Sequence, residues 1–333
     1  MGMLERLRGL GTGRTLLRAP IPPVALQLDR EALSLVRLRK GRRGLPVFEA
    51  SASRLLPSEC IPTSIFDDGN GATFDLSGLV RELFESSGTK PGRVSLVIPD
   101  NLAKISLFSL PERPASRQQL EELIKSRLRR SIPFDVKDAS LSYQVLPAED
   151  KGIMLLVVAV RRAIVEQFEN ALSDAGAQLG LVDLCTTNLI NLTREPMEQA
   201  MTEERDVALL NCASNYFSLA IVRGRCLIFF RCKGYSAEER EIGGMGEALG
   251  REVANSFAYY RDRLAGSGVG TVFLRSPAAP IEEMTERLLG SGVGHVQLID
   301  PTEYVQFSDG AKLEVPAAQQ LAPAIGAAVG RGK

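Results

Sequence analysis

The order of apolar and polar positions predicts strands and helices that alternate along the chain. Residues 24–28 form an apolar run typical of a buried strand, and 33–38 alternate apolar and polar positions as a half-buried strand does. A turn rich in arginine and glycine leads to a returning strand over 45–50. A short helix over 76–86 and a buried strand over 93–99 follow. The beginning of the chain is therefore predicted to be an α/β unit.

The pattern over 104–180 predicts a small α+β module. Ser116 is placed as a helix N-cap, Gln119 is spaced to complete a capping box with it, and Pro133 ends the helix. A second amphipathic helix ends at Gly176. The strands of the module are predicted over 104–110, 140–146 and 153–160.

The second half of the chain repeats the opening pattern of the first. A buried strand from Val207 precedes a hairpin in which Ser218-Leu219 and a Gly-Arg turn recur, as they do from Ser34. We therefore predict a duplicated α/β core with the module inserted in its first copy. The predicted division is an N-terminal arm over 1–20, a first lobe over 21–103 plus 181–203, an inserted subdomain over 104–180 and a second lobe over 204–333.

Composition narrows the function classes. The chain has 333 residues with 40 basic and 40 acidic side chains, and this neutral balance argues against a chain-wide nucleic-acid binder. A single histidine, His295, excludes mechanisms that need two imidazoles. Five cysteines without a CxxC pair indicate a reducing cytoplasm. The longest apolar run, 153–160, is far shorter than the ~20 residues of a membrane helix.

Three stretches of the chain carry a family resemblance. Ile132-Pro133-Phe134-Asp135 leads to Leu141-Ser142-Tyr143-Gln144-Val145-Leu146. This block is similar to the IPF…YQVL signature of the PilM family, the cytoplasmic actin-like proteins of type IV pilus assembly. The hairpin over 206–231 and the closing helix over 321–326 are similar to later blocks. The resemblance implies an α/β fold of the actin-like, RNase H-type kind, with two lobes and a small inserted α+β subdomain. The related GspL proteins of type II secretion remain an alternative.

The resemblance also implies a partner. In PilM-like proteins a groove between the inserted subdomain and the first lobe receives the N-terminal cytoplasmic tail of PilN, an inner-membrane protein. By position, the residues expected to line this groove are Ile105 and Leu107 on one strand and Leu141 and Tyr143 on another. We therefore expect a cytoplasmic protein, peripheral to the inner membrane, that binds a PilN-like tail. Other pilus platform proteins are further candidate partners.

Actin-like nucleotide sites need glycine-containing hairpins, whose backbone cradles phosphates, and an aspartate in each hairpin. The first turn carries Asp29 and Arg30 but no glycine. In the second turn Asn211 stands where the second aspartate is expected, and Ser214 follows. The adenosine loop is replaced by 275–279, which contains a proline, although Gly243 and Gly244 remain before a long helix. The sequence thus predicts a pseudo-ATPase with no catalytic residue, no metal site and no resident cofactor. The alternative is an active ATPase with magnesium-ATP between the lobes.

Two basic clusters stay open in interpretation. One is the turn around Arg39 and Lys40, and the other is the end of the helix that Ser116 begins, with Lys125, Arg127, Arg129 and Arg130. Either cluster fits an anionic lipid surface. The helix end equally fits cations that compensate the helix dipole.

Overall fold

The computed structural model describes residues 21–41, 44–57, 62, 64–67, 74–146, 152–224, 226–235, 245–308 and 313–329. Its strands are β1 Val24–Leu28, β2 Ala32–Arg39, β3 Val47–Leu55, β4 Arg93–Ile98, β5 Ala103–Leu110, β6 Ala139–Leu146, β7 Ile153–Arg161, β8 Gln178–Leu184, β9 Asp206–Cys212, β10 Tyr216–Arg223, β11 Cys226–Gly234, β12 Val269–Arg275, β13 His295–Leu298 and β14 Gln306–Phe307. Its helices are α1 Leu76–Ser86, α2 Arg117–Leu128, α3 Arg162–Asp174, α4 Cys185–Leu192, α5 Arg194–Ala200, α6 Met245–Arg263, α7 Ile281–Gly290 and α8 Val315–Val329.

Two of the sheets share one topology. The first runs β14-β3-β2-β1-β4-β8 and the second runs β11-β10-β9-β12-β13. Each opens with a three-stranded antiparallel meander, and in each the first strand of the meander pairs in parallel with the next strand of the sheet. The duplicated core predicted from the repeat is therefore present. β1 and β9 are buried along their whole length, as expected for central strands covered on both faces.

The inserted module is a three-stranded antiparallel sheet in the order β5-β7-β6, with α2 on one face. Ser116 is the N-cap of α2, and its hydroxyl accepts a hydrogen bond from the Gln119 backbone N–H at 3.1 Å. The Gln119 side chain reaches back one residue further than a capping box does, to the N–H of Ala115. Leu120, Ile124 and Leu128 of α2 pack on apolar side chains of β7.

The end of the chain returns to the first lobe. α8 packs on α4 and on strands β1, β2 and β4, and β14 pairs with β3. The sequence division assigned these residues to the second lobe, because nothing local in them points to the first sheet. Small residues permit the close packing, since a Cβ on Gly326 would lie 2.4 Å from the backbone oxygen of Asn188 in α4.

The boundary of the insert also differs from the predicted 104–180. α3 packs on α1 and β8, and its side chains Ile164, Phe168 and Leu172 belong to the core of the first lobe. β8 begins at Gln178 and pairs with β4 as part of the first sheet. Among the described residues, no helix combines the length and the hydrophobicity needed to cross a lipid bilayer.

Candidate functional site

The turns that follow β1 and β9 approach each other between the two sheets. The Ser214 hydroxyl donates to the Asp29 carboxylate at 3.3 Å, so two of the predicted positions come together. Each turn is closed by the same backbone hydrogen bond, from Asp29 N to Ala32 O at 2.8 Å and from Ala213 N to Tyr216 O at 2.9 Å. These two N–H groups are therefore used within their own turns. The side chain of Arg30, the remaining predicted residue of the first turn, is exposed.

The strand register corrects the predicted equivalence of Asp29 and Asn211. Gln27 pairs with Ser34 across the first meander, and Asn211 pairs with Ser218 across the second. The position in the first copy that corresponds to Asn211 is therefore Gln27, while Asp29 corresponds to Ala213. Both central strands carry an amide at this position, and neither carries a carboxylate.

The side chain of Asn211 is buried and fully engaged. Its oxygen accepts a 2.6 Å hydrogen bond from the guanidinium of Arg275, which lies beside it in the register of β9 and β12. Its nitrogen lies 3.4 Å from the hydroxyl oxygens of Thr186 and Tyr216. Since Thr186 belongs to α4 on the first lobe, Asn211 helps to join the two lobes.

A proline in α8 explains how the buried Arg275 is held. Pro323 has no N–H to offer the carbonyl of Gln319, four residues earlier, and that carbonyl accepts from Arg275 Nε at 2.7 Å. The carbonyl of Gln320 is also released, because the N–H of Ala324 binds the Gln27 side-chain oxygen at 3.0 Å instead. Gln320 O accepts from Arg275 Nη2 at 3.1 Å and from Gln27 Nε2 at 2.8 Å.

The interrupted turn of α8 is thus the common partner of both sheets. Gln27 reaches it from β1, and Arg275 reaches it from β12 while holding Asn211. Arg275 is only 1% exposed, so the guanidinium is enclosed by these carbonyl and amide acceptors. In the sequence, Arg275 is visible only as part of the replaced adenosine loop, and nothing in the local pattern predicts this role.

The sequence did not lead us to predict one buried carboxylate, that of Asp100. Asp100 lies directly after Pro99 at the end of β4, is completely buried, and accepts hydrogen bonds from the backbone N–H and the hydroxyl of Thr186. Burial raises the pKa of the Asp100 carboxyl above its ordinary value, although the hydrogen bonds from Thr186 act in the opposite direction. The sequence signal that could have identified Asp100 is the position of an acidic residue directly after the predicted buried strand.

Three of the described cysteines are poor nucleophiles, because burial raises the pKa of the Cys185, Cys212 and Cys232 thiols, that of Cys212 to about 12. No group of three or more histidine, cysteine and acidic side chains within the described residues is arranged to hold a metal ion. Gly243 and Gly244, the remaining predicted nucleotide positions, and Cys60 lie outside the described residues.

The four residues predicted for the tail groove do not come together. β5 and β6 are opposite edges of the three-stranded sheet, so Ile105 and Leu107 are separated from Leu141 and Tyr143 by β7. The registers also place the two pairs on opposite faces, because Ile105 lies opposite Val158 and Leu141 opposite Ala159. These four residues therefore do not line one common groove between the module and the first lobe.

The two edges of the module have different surroundings. β5 packs beside β11 of the second lobe, and Ile105 lines a mainly apolar cavity between them and helices α4 and α5. At the other edge, β6 faces α3 and β8 across an open groove of about 130 Å³. This groove, called here the β6–β8 groove, is lined by Ser140, Leu141, Ser142, Val160, Val165, Glu169, Leu179, Gly180, Leu181 and Val182.

Comparison with known proteins assigns the chain to a family. A family model described as type IV pilus assembly protein PilM matches residues 26–241, about two thirds of the chain. The chain belongs to the PilM family. The family predicted from the 132–146 block is thereby confirmed, and the match spans the first lobe, the module and the second meander. No curated protein matches the chain significantly.

Solved structures agree on the fold of this PilM-family chain. The PilM–PilN type IV pilus biogenesis complex contains a chain with a TM-score of 0.71 and 18% identity, covering 93% of this chain and 97% of the other. A Bacteroides thetaiotaomicron protein with an actin-like ATPase fold has a TM-score of 0.50 at 9% identity, covering 84% and 90%. The cytoplasmic domain of EpsL, an inner-membrane component of the Vibrio cholerae type II secretion system, scores 0.46 at 12% identity, covering 90% and 93%. The first two of these structures confirm the predicted actin-like fold.

Proposed function

We propose that this chain is a scaffold of type IV pilus assembly that captures the cytoplasmic tail of a PilN-like inner-membrane protein in the β6–β8 groove. The observation that carries the proposal is that two edge strands, β6 of the module and β8 of the first sheet, border the same groove. Membership of the PilM family and the fold shared with a chain of a PilM–PilN complex support the choice of partner.

An extended tail suits this groove chemically. A peptide that adds to a strand edge gains main-chain hydrogen bonds, while pockets for alternate side chains supply specificity. Apolar side chains of Val160, Val165 and Leu179 offer such pockets, and Glu169 adds one negative charge. We therefore expect a tail with alternating apolar residues and a basic residue placed near Glu169. Capture of this kind would hold the protein at the cytoplasmic face of the inner membrane.

We further propose that the chain binds no nucleotide. The residues between the lobes do not fit magnesium-ATP, because amides stand at both central positions and Asn211 is already bonded to the enclosed guanidinium of Arg275. Neither turn contains a glycine over 29–32 or 213–216 that would let a phosphate approach the backbone. The Asp29 carboxylate also places negative charge beside any phosphate in this space.

Calorimetric titration of a synthetic PilN-like tail into the full chain, with and without magnesium-ATP, tests both proposals. We expect saturable binding of the tail that is the same in both buffers, and no heat from the nucleotide alone. Heat from the nucleotide would overturn the proposal that the chain binds no nucleotide and leave tail capture standing. Absence of tail binding would overturn capture and leave the nucleotide result unaffected.

A bulky side chain in the groove locates the binding site. Ser142→Trp on β6 fills the β6–β8 groove, so we expect a loss of tail affinity of at least about tenfold, equivalent to about 1.4 kcal/mol. Ser109→Trp is the matched control, since Ser109 lies on the other edge strand and the registers place it on the same face of the sheet. Equal losses for the two variants, or a loss confined to Ser109→Trp, would show that the tail does not lie along β6.

A further inference from the structure

The C-terminal end of α2 concentrates positive charge. Lys125 and Arg127 lie in its last turn, Arg129 is its C-cap, and Arg130 follows. All four side chains are exposed, and no acidic residue lies between them. Because the chain as a whole is neutral, with 40 basic and 40 acidic residues, this concentration is a local feature. The four residues are called here the α2 basic patch.

Within the part of the chain that the structure describes, the contacts of the α2 basic patch leave its charge uncompensated. Arg127 lies over the ring of Phe108, 5.1 Å from its centroid, and this contact does not neutralise the guanidinium. Lys125, Arg129 and Arg130 form no ion pair with any residue that the structure describes. Glu121, earlier on the same helix, is paired with Arg117 at 2.8 Å.

Compensation of the helix dipole does not account for the patch by itself. Cations at a helix C-terminus are favourable, and the effect is confined to the last turn. α6 ends with Arg261 and Arg263, but Asp262 lies between them. The two helix ends therefore share the dipole contribution and differ in local net charge, which makes the end of α6 a natural reference.

We infer that the α2 basic patch binds the anionic phospholipid surface of a membrane. The patch lines neither of the two cavities described above, and a protein interface of this size would need an apolar centre that four exposed cations do not supply. A charged lipid surface needs only exposed cations, each of which strengthens binding about fivefold. The inference rests on the proposed function in one respect, because capture of a membrane-anchored tail brings the chain to such a surface.

Four cations acting alone give weak association, so the patch is suited to act together with a captured tail. Once the tail of an inner-membrane partner is bound, lipid contact becomes intramolecular and its effective concentration rises. The patch would then orient the module toward the membrane. The same charges are screened by salt within about 10 Å at 0.1 M ionic strength, so lipid binding should weaken as salt rises.

Flotation of the full chain with vesicles tests the inference without any partner. We expect more binding to vesicles containing phosphatidylglycerol than to pure phosphatidylcholine vesicles, and less binding at high salt. R129E/R130E should lower the partition coefficient at least about tenfold, whereas R261E/R263E, the matched reversal at the end of α6, should change it little. Circular dichroism of both variants checks that α2 and α6 remain folded.

Three results would overturn the inference. The first is no preference for the anionic vesicles, and the second is an equal loss of vesicle binding in the two double variants. The third is release of the chain from the vesicles by soluble polyglutamate, at a charge concentration that does not release an unrelated basic peptide. The last result would identify an acidic protein segment as the occupant. Tail titration with R129E/R130E in the absence of vesicles separates this inference from the proposed function, because tail affinity in solution should be unchanged.

Discussion

Gln27 and Asn211 occupy the same position in the two copies of the meander, yet they reach α8 by different routes. The β4 neighbour of Gln27 is Val97, which offers no polar group, so the longer glutamine side chain contacts α8 directly. The β12 neighbour of Asn211 is Arg275, whose guanidinium extends from the shorter asparagine to the same turn of the helix. The same repeat position therefore helps to join the lobes in both copies. The side chain is long where the neighbouring strand offers no polar group, and short where the neighbouring strand offers Arg275.

The two amides also support the proposal that no nucleotide binds between the lobes. An amide can donate and accept hydrogen bonds inside the protein without bringing a charge, whereas a carboxylate at these positions would need a cation. Arg275, the one buried cation among the described residues, is held by carbonyl and amide oxygens. The lobes are therefore joined by hydrogen bonds that a bound nucleotide would have to replace.

The largest effect on stability is expected from Arg275→Met, which removes the link between Asn211 and α8 and leaves the link from Gln27 in place. The side chain of Asn211 and the carbonyls of Gln319 and Gln320 would lose a partner in a buried site, and we expect the free energy of unfolding to fall by about 3–5 kcal/mol. Urea denaturation measures this loss. A change below about 1 kcal/mol would show that water or a neighbouring group takes over the role of the guanidinium.

A smaller effect is expected from removing each amide in turn. Gln27→Leu leaves Gln320 O with its Arg275 contact but leaves the N–H of Ala324 without a partner, at a cost of about 1–3 kcal/mol. Asn211→Leu leaves Arg275 with two carbonyl acceptors, at a similar cost. A double variant tests whether the two positions act together, since independent sites would give additive losses in urea denaturation. Exact additivity would contradict a shared anchor in α8.

Asp100→Asn is expected to raise the free energy of unfolding, whereas the preceding variants lower it. Burial raises the pKa of Asp100 in the folded chain above its unfolded value, so the ionised carboxylate destabilises the fold at neutral pH and protonation relieves this as pH falls toward the unfolded pKa. An asparagine oxygen can still accept from Thr186. We therefore expect the variant to be more stable than the parent at pH 7, with the difference shrinking toward pH 4, as measured by thermal unfolding across that range. A lower stability of the variant at pH 7 would contradict this account.

The equivalence of Gln27 and Asn211 could have been predicted from the sequence, although local motifs did not reveal it. The repeat that pairs Ser34 with Ser218 also pairs Gln27 with Asn211 when it is extended back through the turns. Matching the turns by their polar residues instead paired Asp29 with Asn211, two positions out of register. The error arose because the apolar pattern alone does not fix the last residue of a strand. A four-residue turn can therefore be assigned to several neighbouring positions.

Other features depended on contacts between distant residues. The pattern of α8 predicts a helix, but its place on the first sheet depends on packing against elements about 300 positions earlier. Pro323 is visible as a helix breaker, yet nothing in the sequence shows which side chains take the released carbonyls. The edges of the module show the same limit, because only the assembled fold reveals that β5 is covered by β11 while β6 faces an open groove.

The place of α8 in chain order has a consequence for folding during synthesis. Gln27 and Gln320, which share a hydrogen bond, are separated by 293 positions, so the first sheet is covered only after nearly all of the described chain has left the ribosome. At about 5–20 residues per second, the apolar surface of β1 and β2 beneath α8 remains uncovered for roughly 15–60 seconds. Nascent chains of this protein should therefore depend on chaperones until α8 is complete.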